Sequence, residues 1–205
     1  MKPRGAQGFT LIELVLALTI VALMVTVLFA GVRVGLKAWQ RGEDRAAYLQ
    51  HGRSLTQLVE ESLGGAAPFM GLPDDVTVSP VMFFKGDTDK VSFVTMAPPM
   101  PLPAPIPFVA VTFSVDSGTS PGFAIREKAL PNFDPFEAVA PAVVDPMVTG
   151  VKFRYFRTGG GWEDSWDAAT ELALPQAVEV TLVTTVDGRP KLGAPIQVAI
   201  RMNTQ

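Results

Sequence analysis

The hydrophobic pattern changes character twice along the chain. Residues 14–32 are nineteen consecutive positions without a charge, and most of them are apolar. A helix over residues 9–32 would extend about 36 Å at 1.5 Å per residue, which is enough to cross a bilayer core of about 30 Å. From residue 36 the pattern becomes amphipathic, with apolar positions at the spacing of one helix face. That face contains Leu55, Leu58, Val59 and Leu63.

The predicted helix is about 50 residues long and ends at a glycine pair. Gly64 and Gly65 are residues that commonly follow the last helical turn, and Pro68 cannot continue a helix. The first half of this helix is predicted to lie in a membrane. The second half is predicted to cover a sheet with its apolar face.

The remainder of the chain is predicted to form strands. Apolar and polar side chains alternate over residues 177–186 and 195–202, a pattern typical of antiparallel strands with one buried face. Further strands are predicted over residues 81–84, 90–96, 108–115, 122–128 and 147–157. Residues 97–107 contain six prolines and are predicted to cross the surface, because proline cannot occupy a central strand. The fold class that follows is α+β, with one long helix on an antiparallel sheet.

Composition narrows the possible chemistry. The net charge is −3 and no basic cluster follows the first few residues, so nucleic acid is not expected as a partner. Cysteine is absent, which excludes disulfides, a thiolate nucleophile and zinc–thiolate sites. With a single histidine as well, few routes to His- or Cys-based catalysis remain. We therefore expect a protein that is not an enzyme and has no cofactor.

The N-terminal segment predicts how the chain is oriented in a membrane. Lys2 and Arg4 precede the apolar run, and positive charge before a span favours a cytoplasmic N-terminus. The run is longer than the apolar core of a secretory signal peptide, about 7 to 15 residues, and no small-x-small cleavage site follows it. A single-pass anchor explains this length, but it does not explain the acidic residue near its start. Glu13 is costly in hydrocarbon, by roughly 2.5 to 3.5 kcal/mol on insertion scales, so a carboxylate there is usually functional.

The run Gly8-Phe9-Thr10-Leu11-Ile12-Glu13 resembles the processing signal of type IV pilins and type II secretion pseudopilins. The resemblance implies a pilin-like fold and cleavage by a prepilin peptidase between Gly8 and Phe9, followed by N-methylation of Phe9. It also implies that Glu13, the fifth residue after the cleavage, pairs with the N-terminal amine of a neighbouring subunit during assembly. Such a partner charge would offset part of the cost of a buried carboxylate.

The last third of the chain resembles one branch of this family. Residues 151–155 end in Phe-Arg-Tyr, Gly161-Trp162 and Trp166 follow, and residues 174–180 begin with Leu-Pro. These features are similar to the J-type minor pseudopilin of type II secretion, although the two tryptophans could simply close one end of a sheet. The resemblance implies the I-, K- and H-type minor pseudopilins and the major pseudopilin as partners. The alternatives are a minor pilin of a type IV pilus or related filament system, and a membrane-anchored exported enzyme.

These expectations divide the chain into four segments. Residues 1–8 are a cleaved leader, residues 9–35 a transmembrane helix, residues 36–64 its amphipathic continuation, and residues 65–205 a β-rich domain in the periplasm. The expected location is the bacterial inner membrane and the pseudopilus. Acidic residues of two loops could hold Ca²⁺ or be solvated turns, and no metal site is predicted; they are Asp87, Asp89, Glu163, Asp164 and Asp167.

Overall fold

The computed structural model describes residues 10–72, 80–102, 105–132, 134–137, 139–186 and 189–201. It contains one long helix, α1, over Leu11–Gly64 (54 residues), and a short helix, α2, over Ala168–Glu171. Contacts between residues divide the chain into two compact units, Met1–Arg53 and Ser54–Gln205. Helix α1 ends at Gly64, as the glycine pair predicts, and Gly65 N–H donates to the Glu61 carbonyl at 3.0 Å.

Thirteen strands occur among the described residues, and all their pairings are antiparallel. In chain order they are β1 Met70–Gly71, β2 Val81–Met82, β3 Phe84–Gly86, β4 Lys90–Thr95, β5 Val109–Asp116, β6 Gly122–Ala129, β7 Val143–Asp145, β8 Val148–Phe156, β9 Trp162–Glu163, β10 Trp166–Asp167, β11 Ala177–Val186, β12 Arg189–Leu192 and β13 Ile196–Ala199. The α+β class, with a long N-terminal helix and antiparallel sheets, is confirmed.

The first larger sheet has six strands in the order β10-β3-β4-β5-β6-β7. Its centre consists of hairpins formed by the predicted strands, with Phe93 opposite Val111 and Phe113 opposite Ile125. The predicted strand over residues 81–84 ends too early, because β3 continues to Gly86 and pairs there with Val91. The predicted strand over residues 81–84 is in fact two strands, since Val81–Met82 pairs with β1 in a separate small sheet.

The second larger sheet has five strands. Four of its strands lie in the order β12-β11-β8-β9. The fifth, β13, pairs with the first half of β11, on the same side as β12. The predicted strands over residues 177–186 and 147–157 are present, whereas the one over residues 195–202 is shorter, and Met202 lies outside the described residues. The predicted antiparallel sheet is thus present as two larger sheets and one small two-stranded sheet.

One hydrophobic core joins both sheets to the end of α1. Leu55, Val59 and Leu63 from the helix are buried in it, and Leu58 packs against it half-buried. The inner face of β11 supplies Val178, Val180 and Leu182, which are also buried. The apolar helix face therefore covers a sheet, as the alternation predicts.

The proline-rich crossing contributes to this core from the edge. It joins the paired ends of β4 and β5, and its described residues form no strand, in agreement with the prediction. Leu102 and Ile106 nevertheless pack against the core. Met100 N–H donates to Glu127 Oε1 at 2.9 Å. Burial raises the pKa of the Glu127 carboxyl, and this hydrogen bond partly opposes that effect.

Candidate functional site

The N-terminal end of α1 carries the acidic residue that the sequence singled out. Gly8 and Phe9, the predicted processing residues, lie outside the described residues. Thr10 precedes the first helical residue, and Glu13 N–H contacts Thr10 Oγ1 at 3.3 Å and the Thr10 carbonyl at 3.1 Å. Thr10 thus satisfies one of the free N–H groups of the first turn, and the Thr-x-x-Glu spacing is that of a capping box.

Glu13 is solvent-exposed at the start of an exposed apolar surface. The side chains of Leu11, Ile12 and Leu14 are 82%, 78% and 56% exposed, and the apolar exposure continues to Trp39. An apolar surface of this size is expected to be covered by a membrane or by another protein, because soluble chains rarely expose contiguous apolar areas this large. Helix α1 is the one described helix that is long and apolar enough to cross a membrane. A carboxylate at its first turn lies where a spanning helix would enter the hydrocarbon.

The second candidate feature is an ionic cluster around Arg157, at the end of β8. Its Nε and Nη2 donate to Glu163 at 2.6 and 2.9 Å, and its Nη1 donates to Glu171. The guanidinium also lies over the Trp166 ring, 4.9 Å from the centroid. The fork-shaped guanidinium suits this arrangement because it can hold a carboxylate in a bidentate manner and stack on an aromatic face.

The electrostatics of this cluster follow from its geometry. Hydrogen bonds from Arg157 lower the pKa of the Glu163 and Glu171 carboxyls, and those bonds raise the pKa of the Arg157 guanidinium. All three groups are therefore charged at neutral pH and satisfy one another. A cluster in which every charge has its partner holds β9 and α2 against β8, and it leaves no group poised for proton transfer.

The two tryptophans of the predicted motif have different surroundings. Trp166 is 6% exposed, belongs to the main core, and donates from Nε1 to the Ala173 carbonyl at 2.9 Å. Trp162 is half-buried and packs on Phe156, with 5.2 Å between ring centroids. Trp166 thus closes one end of the core, which is the structural interpretation that the sequence left open.

The acidic loop residues are distributed among separate partners. Glu163 pairs with Arg157, Asp164 lies 3.6 Å from Arg154, and Asp167 accepts from Ala169 N–H at the start of α2. The Asp87 carbonyl accepts from the Tyr155 hydroxyl at 2.9 Å. Among the described residues, no three His, Asp or Glu side chains come close enough together to hold a metal ion.

Sequence reasoning found Glu13 and missed Thr10 and Arg157. Thr10 could have been found, because threonine three positions before glutamate at the start of an apolar helix is a recognised capping pattern. Arg157 could not be paired from the sequence, because Glu163 and Glu171 are brought to it by a hairpin and a short helix.

Comparison with known proteins bears on the N-terminal site. The model of the prokaryotic N-terminal methylation motif matches residues 3–29. No curated protein matches the chain. The matched segment includes Gly8, Phe9 and Glu13 and the first five turns of α1. The chain therefore carries the type IV pilin and pseudopilin signal, ahead of an α+β fold that is consistent with a pilin-like protein.

Proposed function

We propose that this chain is a J-type minor pseudopilin of a type II secretion system. In this role it joins the I-, K- and H-type minor subunits at the tip of a pseudopilus, where it helps to initiate assembly of the major pseudopilin and supports export of folded proteins. The observation that carries the proposal is a methylation motif fused to an uninterrupted apolar helix with Glu13 in its first turn. The resemblance of residues 151–180 supports the J-type assignment.

The proposal includes the maturation and location of the chain. Prepilin peptidase cuts between Gly8 and Phe9 and methylates Phe9. Removal of residues 1–8 deletes Lys2 and Arg4, so the net charge changes from −3 to −5 (−3 − 2). Residues 9–35 then anchor the protein in the inner membrane, residues 36–64 continue the helix, and residues 65–205 form the periplasmic domain. The subunit is structural and has no catalytic residue and no cofactor.

Glu13 has the assembly role in this proposal. Its carboxylate pairs with the N-terminal amine of a neighbouring subunit, which the filament brings beside it within the apolar surroundings of the helices. Two opposite charges in such surroundings offset much of each other's desolvation cost, whereas one charge alone remains costly. Glu13 is therefore expected to matter for incorporation and not for membrane insertion.

A second candidate, a minor pilin of a type IV pilus, is supported by the same motif match. The two systems share this signal, so the N-terminal segment cannot distinguish them. The distinction depends on which subunits the protein binds.

The test is co-expression of the full chain with prepilin peptidase and with I- and K-type pseudopilins. The wild type should co-purify with both. Its intact mass should be that of a chain that begins with N-methylated Phe9. Glu13→Leu should insert and be cleaved but should recover roughly tenfold less complex, because the partner amine is left uncompensated. Glu13→Asp keeps the charge and serves as the control.

The outcomes test two assignments separately: the pilin-type processing signal and the role as a type II secretion pseudopilin. A methylated Phe9 without binding to the pseudopilins would favour the pilus alternative. An unmodified N-terminus in the presence of the peptidase would contradict both candidates. Full recovery of complex with Glu13→Leu would remove the role of the carboxylate.

A further inference from the structure

The outer edge of β13 is an unpaired strand edge. The strand pairs with β11 on one side, and no other described strand pairs with it. Ile200 N–H donates to the Gln176 carbonyl at 3.0 Å, which continues the same register. Backbone N–H and C=O groups point alternately to the two sides of an antiparallel strand. Those of Val198 therefore point toward β11, and those of Gln197 and Ala199 point away from it. Their N–H and C=O groups are available to a further strand.

A groove runs along this edge. It has a cavity volume of about 790 Å³ and lies between β13 and the last turn of α1, with Met96 and Ala97 as part of its lining. A second hollow of about 250 Å³ shares Glu61 and Ala97 with it and extends along the helix toward Ser54. The volume of the groove is within the range of about 300–1,000 Å³ that ligand sites occupy, and the second hollow is smaller.

Small residues line much of the groove, so another backbone can approach closely. Gly64, Gly65, Ala97 and Ala199 are among its lining residues. Gly64 lies beside β13, and a Cβ atom there would be in ordinary van der Waals contact with the Ala199 carbonyl oxygen, at 4.0 Å. Met96 supplies an apolar surface that is 53% exposed. An extended chain therefore has both backbone partners and an apolar contact for a side chain.

The charge of the groove indicates which charge a bound segment would carry. Glu60 and Glu61 on the helix wall are exposed and form no ion pair with a described cation, although Glu61 accepts a hydrogen bond from Gln57 at 2.8 Å. Arg201 is the one described cation in the lining, so carboxylates outnumber it. A basic side chain on the guest strand is favoured.

The neighbouring strand β12 shows how an edge is blocked in the same sheet. Gly193 N–H donates to the Leu182 carbonyl at 2.8 Å, and by the same alternation Pro190 and Leu192 face away from β11. A proline at an outward position removes the N–H that a further strand needs. The other terminal strands, β7, β9 and β10, have only two or three residues.

We infer that the groove beside β13 is a docking site for an extended segment of a partner protein. The segment adds as a strand to the Gln197–Ala199 edge and places a lysine or arginine against Glu60 and Glu61. This site goes beyond the proposed assembly function, because it uses neither the apolar helix surface nor Glu13.

The experiment uses the full chain in detergent micelles and a defined probe. The probe is an end-capped heptapeptide of alternating threonine and valine with lysine at its centre. Binding should saturate with a Kd below about 1 mM. Hydrogen exchange at the Gln197 and Ala199 amides should be fast without peptide and slow with it, while the amide of Val198 should be protected in both states.

Two variants block the site in different ways. Ala199→Pro removes an outward N–H, and Gly64→Leu fills the groove at a position with an ordinary φ and space for a Cβ atom. Each should weaken peptide binding roughly tenfold or more. Leu192→Pro is the matched control, because it removes an outward N–H on β12 outside the groove and should leave binding unchanged.

Charge and backbone are tested separately. Glu60→Lys should weaken binding of the lysine peptide and strengthen binding of a peptide with a central glutamate. A fully N-methylated peptide should not bind, since it cannot pair with a strand edge. Equal binding by Ala199→Pro and wild type, or by the N-methylated peptide, would overturn the inference.

The free protein supplies a further check. Slow exchange of the Gln197 and Ala199 amides without peptide would mean that the edge is already covered, which also contradicts the inference. Sedimentation in the same detergent would then assign the cover to a second copy, if dimers are found, or to residues 202–205, if the protein is monomeric and their deletion restores fast exchange.

Discussion

Tyr155 of β8 makes one of the polar contacts between the two larger sheets. Its side chain is fully buried, and its hydroxyl donates to the Asp87 carbonyl at 2.9 Å, next to the hairpin of β3 and β4. Tyr155→Phe keeps the ring and leaves that carbonyl without its donor. We expect the free energy of unfolding at pH 7 to fall by about 0.5–1.5 kcal/mol. Denaturant unfolding of the full chain in detergent, followed by tryptophan fluorescence, measures it.

The same pair of proteins should respond differently to alkali. Burial, reinforced by the charges of Asp87 and Asp89, raises the pKa of the Tyr155 phenol in the folded state. In the unfolded chain tyrosine ionises near pH 10, so above about pH 10 the unfolded wild type gains stability that the folded state cannot match. The contribution of the neutral phenol is thus complete below that pH and is lost as the pH rises. The difference between wild type and Tyr155→Phe should close above about pH 10, and a constant difference would contradict the burial effect.

The roles of single residues were predictable where they depend only on neighbouring residues in the sequence. Glu13 could be identified from the sequence because a carboxylate in an apolar run is unusual whatever the rest of the fold. The partners of Arg157 are six and fourteen residues away, and only the hairpin to β9 and the turn into α2 bring them together. The sequence therefore offered two interpretations of the acidic residues near the tryptophans, a cation site or solvated turns, and favoured the turns.

At the scale of elements, β3 and β8 meet at a glycine. Gly86 faces Tyr155, and an added Cβ atom would overlap the phenol ring. Gly86→Ala should therefore destabilise the protein by about 1–3 kcal/mol, the usual cost of overpacking a core. The control is Gly118→Ala, where no neighbouring atom lies within 4 Å. Thermal unfolding should show a lower Tm for Gly86→Ala only, and equal Tm values would show that β3 and β8 do not pack tightly at this point.

Elements were predicted well where a long pattern defined them. The end of α1 and the four long strands β5, β6, β8 and β11 lie close to their predicted positions, because each of these strands is an apolar or alternating run of eight or more residues. The short strands β7, β9, β10 and β12 were missed, since two to four residues carry no period. The division into two larger sheets was also not predictable, because alternation gives the buried face of a strand but not its neighbour.

At the scale of the whole molecule, the chain divides within α1 and not at its end. The second unit begins at Ser54, so the last turns of the helix belong with the sheets, whose core contains Leu55, Val59 and Leu63. The sequence pattern placed the start of the amphipathic part near residue 36. Side chains between residues 36 and 54 are almost all exposed, however, and the apolar positions Leu36, Trp39 and Leu49 are among them. The core thus needs only the last eleven residues of the helix.

This division predicts where the chain can be shortened. A protein beginning at Ser54 keeps the whole core and lacks the exposed apolar helix, so it should be soluble without detergent and unfold cooperatively. A protein beginning at Ala66 is the control, because it loses Leu55, Val59 and Leu63. Each of these losses is worth about 2–5 kcal/mol, and together they reach the 5–15 kcal/mol that typically stabilises a domain. Circular dichroism during heating should therefore show a sharp transition for the first protein and none for the second. A cooperative transition in both would mean that the sheets hold together without the helix.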